Sequence, residues 1–205
     1  TQDGAGLPDA GVRVLAYDRE GRLWIGTVGG LARLDPDGTL QRWRHHAGDP
    51  HGLPGDRVSA LLVDRTGLVW VGTWTGGFAR VDPRGERFRV LAAGGAPESS
   101  LPAASVPAIA SAADGTVWVG MVDGGGLARV DPAGRVTGLW RAREGPEPRL
   151  QQDDVHALLA EERGLWVGYA GGGLDLRGEA GLLRRERPRS GGGGLPDASV
   201  RALAR

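Results

Sequence analysis

Three histidines, His45, His46 and His51, lie close together in the sequence with Asp49 between them, and these side-chain types are common ligands of zinc. Neighbouring residues of an extended chain point to opposite faces, so His45 and His46 would not face one ion together. The segment is also rich in Gly and Pro, which is typical of a connecting loop. The sequence therefore predicts a solvated loop here, with no metal site and no bound cofactor.

Few residues are arranged as catalysis would require. The sequence contains no nucleophile elbow, no His-x-His pattern and no pair of carboxylates that stands out. His156 is the best candidate for a general base, with Arg13 or Arg57 to stabilise an oxyanion. We therefore expect a non-catalytic protein and keep a lyase or hydrolase as the alternative.

Charge and composition exclude several other functions. The 205 residues carry 25 basic and 25 acidic side chains, so no net field attracts nucleic acid. The basic run at Arg184–Ser190 has no interleaved aromatic residues, which makes it a poor nucleic-acid platform and favours a solvated outer strand. The absence of Cys excludes disulfides and thiolate sites. No apolar run approaches the ~20 residues of a membrane span, and no signal peptide is visible in the printed sequence.

An internal repeat organises the whole chain. Its strongest marker is a tryptophan that recurs at intervals of 46, 48 and 48 residues, at Trp24, Trp70, Trp118 and Trp166. A second marker, Leu-Pro, begins at Leu7, Leu53, Leu101 and Leu195, and Leu150 stands near the missing place. Propeller repeats have periods of about 40 to 50 residues. Frequent Gly and period-two alternation argue against helical repeats of similar length.

Each repeat divides into four short strands. In the first repeat, the strand Val12–Asp18 is followed by a Gly turn, the Trp-bearing strand, the turn at Gly29 and Gly30, the strand Leu31–Asp35 and a less regular fourth strand. We therefore predict an all-β fold, a β-propeller with four complete four-stranded blades plus the first strand of a fifth. Residues 1–205 would form one partial propeller. Its blades would span about residues 7–52, 53–100, 101–149 and 150–194, and the fifth would begin at 195–205.

Nothing in the sequence completes the fifth blade, because the chain starts just before its own first strand. We therefore expect an open arc of a larger ring. A closed four-bladed ring with a dangling fifth strand is the alternative.

Comparison between the blades separates structural residues from variable ones. The four repeated tryptophans are predicted to be core wedges, each with an indole N–H that needs an acceptor. Three arginines recur two residues before an aspartate and are predicted to form structural pairs with it: Arg33 and Asp35, Arg80 and Asp82, Arg129 and Asp131. The leucine-like positions of the first strands are predicted to be core: Leu15, Leu61, Ile109, Leu158 and Leu203.

Candidate ligand-binding residues lie where the blades differ, on the face that carries the loops between strands two and three and between successive blades. The first kind of loop offers Trp74, Thr75, Asp123 and Tyr169. Trp74 is either an exposed stacking platform or a ring folded onto its own blade. The position after each strand-one Val is variable, and its candidates are Arg13, Ser59 and His156. Solvated strand-end residues are the alternative there.

Two segments, LPDAGVRVLAYDREGRLWIGTVGGLARLD and LPGDRVSALLVDRTGLVWVGTWTGGFARVD, resemble the two-component regulator propeller repeat. The third repeat has Met121 in place of the motif Thr. The fourth has Tyr169 there, lacks Leu-Pro and ends LDLRGE. The resemblance implies a seven-bladed, periplasmic or otherwise extracytoplasmic sensor module of a bacterial signalling protein, often a hybrid histidine kinase or diguanylate cyclase.

Several members of that family sense oligosaccharides, so the resemblance implies a small-molecule or oligosaccharide ligand. It also implies as partners the remaining blades and a signalling output domain, whose motifs this chain lacks. A propeller enzyme and a protein-docking scaffold remain the alternatives.

Overall fold

A computed structural model describes residues 6–85, 87–91, 100–144, 149–178, 181–188 and 195–204. Within these described residues, sixteen strands form four antiparallel sheets of four strands each, and within each sheet consecutive strands are neighbours. The prediction of an all-β fold with four four-stranded blades is therefore confirmed. In the described part of the chain no helix is long and apolar enough to span a bilayer.

The strands of the four blades are numbered in chain order. The first blade comprises β1–β4, which span Val12–Tyr17, Leu23–Thr27, Gly30–Leu34 and Leu40–Trp43. The second comprises β5–β8, which span Val58–Val63, Val69–Thr73, Phe78–Val81 and Phe88–Leu91. The third comprises β9–β12, which span Ala108–Ser111, Val117–Met121, Gly126–Val130 and Val136–Trp140. The fourth comprises β13–β16, which span Val155–Glu161, Gly164–Tyr169, Leu174–Gly178 and Gly181–Glu186.

The described residues fall into two compact units. One holds the first and second blades together with residues 104–106, and the other holds the third and fourth blades. In the first unit, a hydrophobic core joins residues of both blades: Trp24, Leu31, Leu53, Val58, Val69, Val71, Ala79, Val81 and Phe88. The second unit has its own core, which includes Leu127, Leu150, Val155, Val167 and Tyr169.

The glycine two residues after each repeated Trp allows a close approach within a unit. A Cβ on Gly26 would lie 2.6 Å from Val58 Cγ1, and a Cβ on Gly120 would lie 2.7 Å from Val155 Cγ1. Real Cβ atoms are not found so close to other atoms, so only glycine lets the leading Val of the next blade pack there. The Trp-x-Gly motif is therefore a packing motif between successive blades.

The four tryptophans occupy equivalent positions, since each pairs with a first-strand residue and a third-strand residue in its own blade. Trp24 and Trp70 are fully buried as predicted, whereas Trp118 and Trp166 are only half-buried. The predicted Arg–Asp pair is present in the first blade, where Arg33 Nε lies 2.7 Å from Asp35 Oδ1.

The other two aspartates of that pattern bind different arginines. Asp82 accepts from Arg84 at 3.2 Å, and Asp131 accepts from Arg135 at 2.9 Å. The prediction that the leucine-like positions of the first strands are core was wrong for Leu15, which is 57% exposed because no described residue covers that face of β1. Leu158 is buried, and Leu61, Ile109 and Leu203 are half-buried.

Residues 200–204, predicted to be a first strand, form no strand in the structure. The residues at and just before the start of this segment contact the fourth blade, since Val200 N donates to Tyr169 O at 2.9 Å and Gly173 N donates to Ala198 O at 2.8 Å. The end of the predicted outer strand, at residues 189–190, lies outside the described residues.

Candidate functional site

The loops between the second and third strands of the first two blades are closed by the motif threonine. Thr27 Oγ1 donates to Gly30 O at 2.8 Å and accepts from Gly29 N. Thr73 makes the equivalent bonds to Gly77 O and from Gly76 N. Both hydroxyls are buried, so this threonine holds the loop and is not available to a ligand.

Trp74 and Thr75 form the tip of this loop in the second blade. Trp74 is half-buried and Thr75 is exposed. The backbone of Trp74 is held on both sides, because its N–H donates to Arg57 O at 3.0 Å and its carbonyl accepts from Ser105 Oγ at 2.7 Å. Among the described residues no other aromatic ring stacks on the indole of Trp74. The indole is thus a partly exposed ring on a fixed loop, as a stacking platform requires.

Two further predicted residues lie in the same unit. Ser59 is half-buried, and its hydroxyl donates to Val106 O at 2.6 Å, so its donor is already used. Arg13 is exposed on β1. The structure thus places Ser59 in a supporting role and leaves the guanidinium of Arg13 at the surface.

The third and fourth blades bring Asp123 and His156 to the same end of their unit. Asp123 is exposed at the loop tip and has a positive φ of 56°, which is uncommon for a residue with a side chain. The next residue, Gly124, donates its N–H to Asp154 Oδ1 at 3.5 Å, and Gly126 N donates to Asp153 O at 2.9 Å. This loop therefore lies against the start of β13, which carries His156.

Burial and the positive charge of Arg201 lower the pKa of His156, and the opposing effect of Asp154 is smaller. His156 is therefore held neutral at pH 7, with one ring nitrogen able to accept a proton or a hydrogen bond. Asp154 was missed by the sequence comparison. It stands immediately before the strand-one Val, a position that differs between blades as much as the one after it: Gly11, Arg57, Ser105, Asp154 and Ser199.

Tyr169 lies in the core and not on the loop surface. Its side chain is fully buried, and its hydroxyl donates to Asp175 Oδ2 at 2.9 Å. Asp175, also fully buried, accepts further bonds from Gln151 and Arg185. Burial and the neighbouring Asp175 carboxylate raise the pKa of Tyr169 well above its usual range. The phenol is therefore a neutral donor inside a buried polar network.

The predicted histidine loop shows no metal geometry. His45 Nδ1 lies 2.9 Å from Leu53 O, and His46 Nδ1 lies 3.0 Å from Arg44 O, so both rings contact backbone carbonyls. In the described part of the chain no three metal-ligating side chains come together.

Comparison with known proteins relates this geometry to a repeat family. Residues 6–29 and 52–75 match the family described as "two component regulator propeller". The two matched segments lie in the first and second blades. The second matched segment ends with Trp74 and Thr75, at the loop tip described above. No curated protein matches the sequence at a significant level.

Solved structures share the fold of these repeats. The extracellular domain of a hybrid two component system from B. thetaiotaomicron superposes with a TM-score of 0.69 at 22% identity, over 88% of this chain and 23% of that one. A second such domain from the same organism gives 0.71 at 19% identity, over 95% and 24%. Virginiamycin B lyase from Staphylococcus aureus gives 0.67 at 16% identity, over 90% and 58%. The chain thus spans about a quarter of the length of those extracellular domains.

Proposed function

We propose that this chain is a non-catalytic, ligand-sensing propeller module of a bacterial signal-transduction protein of the two-component or diguanylate cyclase type. The observation that carries the proposal is the pair of regulator-propeller repeats on a fold shared with extracellular domains of hybrid two component systems. By the same similarity we place the module in the periplasm or otherwise outside the cytoplasm. Its ligand would be a small molecule or an oligosaccharide.

We further propose that residues 1–205 are part of a larger, seven-bladed ring. The length of the sensor domains, about four times that of this chain, supports this, since it leaves room for more blades. The partners of the chain would then be the remaining blades and a signalling output domain of the full-length protein.

Recognition is proposed at the loop ends of the blades. Trp74 would supply a stacking face and Thr75 a hydroxyl, with Arg13 at the surface and Ser59 supporting from the strand end. In the other unit, Asp123 and the neutral His156 would hydrogen-bond a polar ligand. Tyr169 would support its loop from below through the bond to Asp175 and would not touch the ligand.

Ligand-dependent melting tests this proposal. The chain is heated with each member of a panel of neutral and acidic oligosaccharides, and at least one should raise its melting temperature in a saturable way. Trp74→Ala should abolish that rise, whereas Arg84→Gln, an exposed change in a turn at the other end of the same blade, should preserve it. A panel without any active member, or equal responses in both variants, would count against recognition at the loop ends.

A propeller lyase is the second candidate. It is favoured by the lowered pKa of His156, which leaves a base ready at neutral pH, and by the fold shared with virginiamycin B lyase. Turnover of a candidate substrate that disappears in His156→Ala would favour it over sensing. A protein that co-purifies stably with the chain would instead favour a docking scaffold.

A further inference from the structure

A cleft opens in the second unit, at the opposite end of its strands from Asp123 and His156, which are the loop-end site of this unit. It has a volume of about 580 Å³ and lies within the second unit, between the turn that joins β9 to β10 and the turn that joins β13 to β14. Its lining includes the aromatic side chains of Trp118 and Trp140 together with charged side chains of both signs: Asp114, Arg129, Glu161, Glu162, Arg163 and Arg177. Its volume is in the usual range of small-molecule sites.

The other three blades have a hydrogen bond between the repeated Trp and a carboxylate, and the third blade lacks it. In the first blade, Trp24 Nε1 donates to Asp18 Oδ2 at 2.9 Å, and in the second, Trp70 Nε1 donates to Asp64 Oδ2 at 2.6 Å. In each case the carboxylate stands six residues before the Trp. In the fourth blade, Trp166 Nε1 donates to Glu161 Oε2 at 3.1 Å, with the carboxylate five residues before the Trp. A carboxylate acceptor for the indole N–H is therefore part of the blade design.

The third blade has Ala112 where that carboxylate should be. Asp114, two residues further on, does not replace it: its oxygens accept from the backbone N–H and the hydroxyl of Thr116, at 2.9 and 2.8 Å, and from no indole among the described residues. Among the residues that the structure describes, the indole N–H of Trp118 has no acceptor, and the ring lines the cleft.

Arg129 also departs from the pattern of the first two blades. Arg33 and Arg80 lie opposite Trp24 and Trp70 in the strand register and stack over them, each with its guanidinium carbon 5.6 Å from the ring centroid. Arg129 has the same register opposite Trp118, but it is exposed and its side chain forms no hydrogen bond with a described residue. A second donor group therefore opens on the cleft.

The aromatic part of the cleft can hold a flat body. Trp118 and Trp140 lie with their ring centroids 5.3 Å apart and their planes at 47°, and both are half-buried. The matching pair in the first blade, Trp24 and Trp43, is stacked at 16° over 5.5 Å. Both half-buried rings of the third blade line the cleft, which suits stacking of a planar or ring-shaped group.

We propose that this cleft binds a small carboxylate ligand with a flat or ring-shaped body. The ligand carboxylate takes the place of the missing aspartate side chain and accepts hydrogen bonds from Trp118 Nε1 and from the guanidinium of Arg129. The body of the ligand lies against Trp118 and Trp140. The site is separate from the loop-end site, so neither depends on the other.

The charges of the lining agree with an acceptor ligand. The lining holds three guanidinium groups and three carboxylates. Asp114 and Glu161 accept hydrogen bonds from Thr116 and Trp166, Arg129 attracts Asp114 electrostatically, and Glu162 is exposed. The backbone N–H of Thr116 holds the pKa of Asp114 below its usual range, so this carboxylate stays ionised and offers no proton to a ligand. Trp118 Nε1 and the guanidinium of Arg129 have no hydrogen-bond acceptor among the described residues, and both are donors.

Titration with matched probes tests the proposal on the whole chain. Phenylacetate and glucuronate carry a carboxylate on a ring-shaped body, and phenylacetamide and glucose are their neutral counterparts. Calorimetry should show saturable binding of at least one acid, at least about tenfold tighter than its neutral counterpart, because a charged acceptor is lost in the latter. Absence of saturable binding by both acids, or equal binding of the acid and neutral forms, overturns the proposal.

Two variants locate the site. Ala112→Asp restores the carboxylate of the other blades and should abolish binding of the acid while the melting temperature is kept or raised. Ala133→Asp adds the same charge in the turn between β11 and β12 of the same blade, where the side chain is exposed and does not line the cleft, and should keep most of the binding.

Trp118→Phe retains an aromatic ring without the N–H and should weaken binding of the acid by about tenfold while leaving the neutral probe unchanged. Equal losses in Ala112→Asp and Ala133→Asp would mean that added negative charge, and not the missing carboxylate at position 112, governs binding, and would overturn the proposed geometry.

Discussion

At the scale of single residues, the aspartate that begins the turn after the first strand of a blade has two roles, as Asp64 shows in the second blade. Asp64 accepts hydrogen bonds from Thr66 N and Leu68 N, which hold the turn, and from the indole of the fully buried Trp70. One side chain therefore caps a turn and accepts a hydrogen bond from a buried indole. A blade without this aspartate lacks both the cap and the acceptor.

Asp64→Ala should lower the free energy of unfolding by about 1–3 kcal/mol or more, because the buried indole N–H and the turn donors lose their acceptor. Urea unfolding followed by tryptophan fluorescence measures this. The matched control is Asp37→Ala, an exposed turn aspartate that accepts from Thr39 N and from no indole. Its cost should be clearly smaller. Equal costs would mean that the indole bond contributes nothing.

Acid pH should destabilise the protein through Asp18. Burial opposes ionisation there, but hydrogen bonds from Trp24 and Arg22 outweigh it and lower the pKa of Asp18 below its ordinary value. The unfolded chain then binds more protons than the folded one at low pH. The stabilisation is complete above the unfolded pKa of about 4 and is lost as the pH falls through the folded pKa.

In Asp18→Asn the unfolding free energy should therefore be lower at pH 7 and should depend less on pH below about 4. Denaturation curves at a series of pH values measure the slope. A slope identical to that of the unmodified protein would rule out this role of Asp18.

Tyr169 should ionise only at unusually high pH, since burial and Asp175 raise its pKa. The sequence has two tyrosines, and Tyr17 is 69% exposed. In Tyr17→Phe, alkaline titration of the phenol absorbance should show no ionisation in the ordinary range near pH 10. Ionisation of the remaining phenol near pH 10 would mean that Tyr169 is open to solvent, as a surface ligand contact would require.

At the scale of elements, the hairpin loop of the second blade depends on one glycine. A Cβ on Gly76 would lie 1.8 Å from Pro54 O, so the Leu-Pro segment and the loop cannot both keep their places if a side chain is added. The Leu-Pro segment and the Gly-Gly turn of the repeat therefore pack against each other. Leu53 anchors the segment in the core at 2% exposure.

Gly76→Ala should destabilise the protein by about 1–3 kcal/mol, because backbone must move to admit the methyl group. Gly171→Ala is the matched control in the corresponding loop of the fourth blade, where the nearest atom would lie 3.5 Å away, on Gln152. Thermal melts compare the two variants. If Gly76→Ala is as stable as Gly171→Ala, the close contact with Pro54 does not constrain the loop.

At the scale of the whole molecule, protection should differ along the chain. The outward face of β1 is open, with Leu15 and Tyr17 exposed, and residues 201–204 form no ladder. Terminal units of repeat arrays fray first because each repeat is stabilised by its neighbours. Hydrogen exchange should therefore be fastest in β1 and in residues 195–204, and slowest in β6, β7, β10 and β11.

Val200 provides an internal control, since its N–H is bonded to Tyr169 O and should exchange more slowly than its neighbours in residues 201–204. Uniform protection from Val12 to Leu203 in a demonstrated monomer would contradict the expectation. It would mean that the ring closes on itself.

Much of this architecture could be predicted from the sequence, because it repeats. The recurring Trp, Gly and Leu-Pro positions determined the number of blades, their strand order and the location of each turn. Period-two alternation and glycine turns act locally, over a few residues, so they can be recognised without knowledge of distant contacts. The fourth blade departs most from the repeated sequence, yet it forms its third strand, at Leu174–Gly178, as the repeat requires.

The tertiary structure alone decided which side chains of the pattern face solvent, because burial depends on what packs against a strand from another blade. Trp118 and Trp24 share one motif, yet only Trp24 is fully buried. Tyr169 occupies a loop-end position in the sequence, but a buried partner, Asp175, holds its hydroxyl in the core. Ala112 lines the cleft beside Trp118 without a carboxylate, and the meaning of that absence appears only when the indole–carboxylate bonds of the other blades are seen.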